Sequence, residues 1–80
     1  MKAVIRVFLK NGVLDPQGKA IAHGLNSIGF DEVSDARQGK LIELDLAAGT
    51  DEARIKEMCD KLLANPVIED YKIETIKDAA

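Results

Sequence analysis

Apolar and polar residues alternate from Lys2 to Lys10, so Ala3, Ile5, Val7 and Leu9 share one side of a predicted strand and Lys2, Val4, Arg6, Phe8 and Lys10 the other. The second side mixes cations with Val4 and Phe8, and reads as a sheet face partly covered from outside the domain. Gly12-Val13-Leu14-Asp15-Pro16-Gln17-Gly18 then stops the strand and starts a helix. Asp15 can accept from the free N–H groups of a first turn, and Pro16 suits the first helical position, where no donor is needed. The helix is predicted from about Pro16 to Ile28, ending at Gly29, with an inward stripe of Ile21, Gly24, Leu25 and Ile28 and with His23 opposite it.

Phe30 to Val33 opens a second strand that continues weakly through Ser34 to Arg37. Lys40 to Leu46 alternates cleanly, with Ile42, Leu44 and Leu46 opposed to Leu41, Glu43 and Asp45. The intervening Gln38-Gly39 fits a hairpin turn and fits equally a bulge in one long, bent strand. Thr50, Asp51 and Glu52 offer a cap and two carboxylates to a second helix of about four turns, whose stripe Ile55, Met58, Cys59 and Leu62 runs toward Ala64. Asn65-Pro66 stops it, Val67 to Glu74 forms a last strand, and Lys77 to Ala80 a frayed tail. The order is β-α-β-(β)-α-β. Two such units interleave into an antiparallel sheet with both helices on one face, the ferredoxin-like α+β two-layer sandwich, as a single domain over residues 1–80.

A chain of 80 residues buries only roughly 60% of its unfolded surface, so the core is thin and association with other chains is expected. Eleven basic and fourteen acidic residues, interspersed, give a net charge of −3 and no patch for nucleic acid or an anionic membrane. Trp is absent and Phe8, Phe30 and Tyr71 are the only aromatics, which weakens the case for bases stacked on a sheet face. No segment approaches the ~20 apolar residues of a membrane span. One cysteine and one histidine are too few for an internal disulfide or a closed zinc site, and a cytoplasmic location is the simplest expectation.

Candidate chemistry is sparse. His23 falls on the polar side of its helix and reads as solvated. Cys59 lies mid-stripe, where a small buried hydrophobe belongs and a reactive thiol does not. Asp51 with Glu52 and Glu69 with Asp70 are sequence neighbours that diverge, whereas acid–base work needs convergence on one pocket. The helix start at Asp15 lacks a glycine-rich phosphate cradle, and the aspartate itself repels phosphate. Arg37-Gln38-Gly39-Lys40 remains. Its two cations project from a turn or kink and can grip a partner's carboxylates, the guanidinium as a fork and the ammonium as a point charge. Two other classes share the topology. A small-molecule-sensing regulatory module calls for a glycine-rich loop after the first strand, but Gly12 is followed by Val13 and Leu14. An acylphosphatase-like enzyme calls for an arginine in that loop, where Lys10-Asn11-Gly12 has none.

Gly12 to Gly18, Arg37-Gln38-Gly39-Lys40, and above all the run Met58-Cys59-Asp60-Lys61-Leu62-Leu63-Ala64-Asn65-Pro66-Val67-Ile68-Glu69-Asp70-Tyr71 resemble the PurS family, the small subunit of phosphoribosylformylglycinamidine synthase. Gln38 departs from the pattern, standing where an apolar residue is as readily expected. The resemblance implies a role in the fourth step of purine synthesis, in which formylglycinamide ribonucleotide, glutamine and ATP become formylglycinamidine ribonucleotide, glutamate, ADP and phosphate. It further implies a non-catalytic subunit that brings a glutaminase subunit, the source of ammonia, together with a large ATP-dependent synthetase subunit. The complex uses ATP, Mg2+ and glutamine, and the small subunit itself binds no cofactor or metal. Arg37, Gly39 and Lys40 are then expected at the interface with the glutaminase or synthetase, and Val4 and Phe8 against a second copy in a dimer or tetramer. Asp15, Pro16 and Gly18 fix the strand-to-helix junction, and Asn65 and Pro66 the corresponding junction before the last strand.

Overall fold

The apolar side of the first strand becomes the centre of the protein. In the computed structural model, which describes residues 1–77, β1 (Lys2–Leu9) lies between β2 (Gly39–Asp45) and β3 (Glu69–Lys77) and is antiparallel to both. Ala3, Ile5 and Val7 are fully buried, and they face Ile55, Cys59 and Ala64 from the second helical segment. Ile42 and Leu44 of β2 and Tyr71 and Ile73 of β3 flank this cluster, because they sit opposite the inward residues of β1 in the two ladders. Between Val4 and Ile5 the register against β3 shifts by one residue, so Glu74 is an extra residue bulged into the ladder.

The first helix, α1 (Pro16–Ser27), starts and ends where the sequence predicts. Asp15 caps it, Pro16 opens it, and Gly29 takes the left-handed backbone (φ 106°) that terminates it. The Phe30 N–H donates to the Leu25 carbonyl and the Gly29 N–H to that of Asn26, the paired bonds of a Schellman ending. Its packing differs from the expectation. Gly18 and Ala22 are the buried residues, while Ile21 and Ile28 of the predicted inward stripe are 43% and 71% exposed. The helix packs on residues 30–38 instead of the sheet: Asn26 donates to the Phe30 and Val33 carbonyls, and Lys19 pairs with Asp35 at 3.3 Å. No residue of α1 joins the central cluster.

The bracketed second strand is absent, since residues 31–38 form irregular backbone and β2 begins at Gly39. Neither a hairpin nor a long bent strand is formed. The N-terminal arm of that segment carries Asp31, Glu32, Ser34 and Asp35, too few apolar positions to earn a place in a ladder, and it serves α1 as cover. The second helix is also shorter than predicted. α2 (Glu52–Met58) is capped by Asp51, whose carboxylate accepts from the Arg54 N–H, while the Thr50 hydroxyl turns back to the Ala47 carbonyl. A π-helical turn (Cys59–Leu63) follows, closed by the Ala64 N–H on the Cys59 carbonyl at 3.0 Å. The wider turn rotates what comes after it, so Leu62 swings out to 83% exposure while Leu63 and Ala64 take the inward positions. Lys77, the start of the predicted tail, still pairs with Lys2, and the remaining tail positions 78–80 lie outside the described residues.

Candidate functional site

The three motifs singled out in the sequence meet at one end of the sheet. Asp15, an extended residue (φ −111°, ψ 92°) at the end of the loop that joins β1 to α1, is only 4% exposed. Its Oδ1 accepts the Gly18 N–H at 2.9 Å, the helix-capping bond, and its Oδ2 accepts the Gln38 N–H at 2.7 Å. One carboxylate thus ties the start of α1 to the segment entering β2, joining two motifs that the sequence presents separately. The Gln38 side chain completes the joint by donating to Gln17 Oε1 at 2.6 Å, which accounts for a polar residue at that position. Gly39 follows because a Cβ there would lie 2.6 Å from the Val7 carbonyl oxygen.

Arg37 is turned inward to the loop. Its Nη1 donates to the Val13 carbonyl at 3.3 Å, and its Nη2 to those of Leu9 and Lys10 at 3.2 and 3.3 Å, so the guanidinium braces the β1–α1 connection. Lys40 reaches across the central strand to Glu69 at 3.4 Å. Glu69 in turn accepts the Asn65 N–H at 2.7 Å, and Asn65 Oδ1 accepts the Val67 N–H at 3.0 Å, which sets the turn after Ala64. Pro66 is exposed in that turn. The polar line therefore runs from Gly18 through Asp15 and Gln38 to the Gly39-Lys40 strand start, and on through Glu69 to Asn65. A cleft of about 180 Å³ lies along it, bordered by Val7, Leu9, Asp15, Gln38, Lys40 and Glu69.

Electrostatics agree with this geometry. The amide of Gln38, then that of Gly18, holds the Asp15 carboxyl below its ordinary value of 3.8, with Arg37 adding to the effect and burial opposing it. A depressed native pKa contributes stability that is complete above the ordinary value and is lost as pH falls through the native one. Asp15→Asn is therefore expected to unfold at lower urea than the parent near pH 7, and the gap should narrow as pH falls below 3.8 and through the depressed native value. An equal gap at both pH values would show that the charge of Asp15 contributes nothing.

The remaining candidates are each occupied in other ways. His23 is exposed on α1. Cys59 is fully buried, and burial, then Asp60, pushes its thiol up, away from reactivity. Asp51 caps α2, and Asp70 pairs with Lys10 at 2.7 Å. Among the described residues no group of three or more histidine, cysteine or carboxylate side chains could hold a metal ion, and no helix is long and apolar enough to cross a membrane. On the open sheet face Val4 and Phe8 are half-buried among ion pairs, Lys2 with Glu43 at 3.4 Å and Arg6 with Glu74 at 3.0 Å, and the Arg6 guanidinium stands 5.7 Å from the Phe8 ring centre. Sequence reasoning missed Glu69 as a hub and the Asp15–Gln38 bond, since both join residues more than twenty positions apart. Gly18 in the first turn of α1 and Gly39 at the head of β2 are the sequence signals of a close approach there.

Fold and site together define a small open-sheet α+β domain with its distinctive residues gathered into one knot at the end of the sheet. The sequence model of PurS, described as phosphoribosylformylglycinamidine (FGAM) synthase, matches residues 2–77. The chain is 49% identical over 75 residues to the PurS subunit of that synthase from Bacillus subtilis, covering 91% of this chain and 89% of the relative. It is 44% identical over 80 residues to the subunit from Methanocaldococcus jannaschii, covering 95% of each. Among solved structures, B. subtilis PurS superimposes with a TM-score of 0.81 at 51% identity, covering 91% of this chain and 94% of that one. PurLQS from Thermotoga maritima gives 0.78 at 34% identity, covering 91% and 93%. The chain belongs to the PurS family.

Proposed function

We propose that this chain is the bridging small subunit of phosphoribosylformylglycinamidine synthase, holding the glutaminase and the ATP-dependent synthetase so that ammonia from glutamine reaches formylglycinamide ribonucleotide. The observation that carries the reading is the match along residues 2–77, together with the likeness to a PurLQS structure. The chemistry makes such a subunit useful. Ammonia set free in neutral water is mostly ammonium, which has no lone pair for attack, so two active sites held in register with a sheltered route between them outperform free diffusion. The assembly draws on ATP, Mg2+ and glutamine in the cytoplasm, none of them held by this chain.

Gly39 and Lys40, positioned by the Asp15 and Glu69 contacts, face the larger subunits in this reading, and Arg37 shapes the loop surface offered beside them. The Lys40 side chain keeps 60% exposure despite its ion pair, so its ammonium can exchange Glu69 for a partner's carboxylate. The chain self-associates as a dimer or tetramer, with the open face at Val4 and Phe8 as one contact. Turnover measured with purified glutaminase and synthetase tests the bridge. Omitting this chain should abolish glutamine-dependent product formation and leave ammonia-dependent formation intact; glutamine-dependent turnover that survives the omission would overturn the proposal.

A further inference from the structure

The loop between β1 and α1 holds a dipeptide, Asn11-Gly12, that takes no part in the joint at Asp15. Lys10 to Val13 form a tight turn of the type II pattern, in which the Val13 N–H donates to the Lys10 carbonyl at 3.1 Å and Gly12 is left-handed (φ 86°). Asn11 and Gly12 are both exposed. Among the described residues the Asn11 side chain has no hydrogen-bond partner and the Gly12 N–H donates to no acceptor. An amide carbon thus sits next to an uncommitted main-chain nitrogen whose own residue has no Cβ, and open space surrounds it. The other two asparagines lack this combination. Asn26 donates to the Phe30 and Val33 carbonyls at 2.8 and 3.0 Å, and the N–H of Ser27 behind it lies inside α1. Asn65 precedes Pro66, whose nitrogen has no proton to give up.

One group restrains the turn. Arg37 donates from Nη1 to the Val13 carbonyl and from Nη2 to those of Leu9 and Lys10, so its fork clamps the backbone on both sides of the dipeptide. For Asn11 Cγ to meet the Gly12 nitrogen, the main chain between them must rotate out of the turn. The clamp opposes that rotation.

We propose that Asn11 is a site of spontaneous covalent modification and that the Arg37 fork sets its rate. Hydroxide takes the Gly12 N–H proton, the nitrogen attacks Asn11 Cγ, and the new C–N bond closes a five-membered succinimide. The Cγ–Nδ2 bond breaks, and Nδ2 leaves as ammonia after taking a proton from water, which restores the hydroxide. Water then opens the ring at Cγ to give aspartate, or at the main-chain carbonyl to give isoaspartate, whose backbone is one methylene longer. Nothing is oxidised or reduced. Either product adds a negative charge to a chain of net charge −3, at the border of a cleft of about 340 Å³ that Asn11 shares with Arg6 and Arg37.

The modification is independent of the bridging reading, because it needs only this chain and water. Ageing the full-length protein near neutral pH tests it. Ion exchange counts the added charge, and peptide mapping, corrected by an unaged sample digested alongside, locates it. Asn11 should convert about tenfold faster than Asn26 or Asn65, faster again at mildly alkaline pH, with isoaspartate revealed by isoaspartyl methyltransferase. Asn11→Gln, whose longer side chain disfavours the ring, should gain no charge. Arg37→Ala and Arg37→Lys, each verified as folded by circular dichroism, should both speed conversion about fivefold, since neither keeps the forked hydrogen bonds. Conversion at Asn11 no faster than at the other two asparagines overturns the site. An unchanged or slower rate in Arg37→Ala overturns the control by Arg37, and a parental rate in Arg37→Lys assigns the restraint to charge and overturns the fork.

Discussion

Gly18→Ala should lower the urea midpoint of unfolding sharply, although alanine is the better helix former. Propensity alone favours the change by about 1 kcal/mol. A Cβ at Gly18, however, overlaps the Ala36 carbonyl oxygen and comes within 2.8 Å of Asp15 Oδ2. The carbonyl is backbone and cannot swing aside, and overpacking of this kind costs about 1–3 kcal/mol before the loss of neighbouring bonds is counted. Yielding would separate residues 36–38 from the start of α1 and break the joint at Asp15. Gly24→Ala in the same helix meets nothing within 4 Å and should raise stability by about 1 kcal/mol. Both are best compared with the parent at one protein concentration, so that self-association weighs equally on each midpoint. A Gly18→Ala midpoint at or above the parent's would show that this close approach does not hold the two segments together.

Ile55→Ala is the second large effect. Ile55 is fully buried against β1, in a cluster whose only other buried members are Ala3, Ile5, Val7, Cys59 and Ala64 among the described residues. Truncating such an isoleucine costs about 2–5 kcal/mol, a large share of the 5–15 kcal/mol that holds an ordinary domain folded. Urea unfolding should show the midpoint collapsing, with the protected amides of β1 exchanging through global opening. Leu62→Ala removes a side chain from the same predicted stripe, but one that is 83% exposed. Its removal should leave the urea midpoint nearly unmoved. Equal losses for the two variants would mean that the π-helical turn does not set the inward face.

The contrast between Ile55 and Leu62 marks how far periodicity can be trusted. Ile55 and Cys59 follow the α-helical spacing and point inward, whereas one wider turn puts Leu62 outside. Spacing carries no record of a change in helix type, because the i→i+5 bond depends on how Ala64 is drawn down onto the sheet. The α1 stripe misleads for a related reason. Ile21, Leu25 and Ile28 do form one face, but a face states only that cover is needed and not which chain supplies it. Residues 30–37 show the reverse error: Phe30 and Val33 suggested a strand, and the segment instead receives hydrogen bonds from Asn26 and packs along α1.

What the residue order determined by itself was local. The alternation of β1 and β2, the Asp15-Pro16 start and Gly29 end of α1, and the stop at Asn65-Pro66 depend on neighbours within one turn or one strand, where side-chain geometry and backbone preference act directly. Tertiary structure alone decided that Asp15 serves Gln38 as well as Gly18, that Lys40 answers Glu69 across the central strand, and that α1 stands off the sheet with its stripe bare. Those contacts join positions that loop closure must first bring together, so their energies depend on the folded arrangement and leave no periodic trace in the chain.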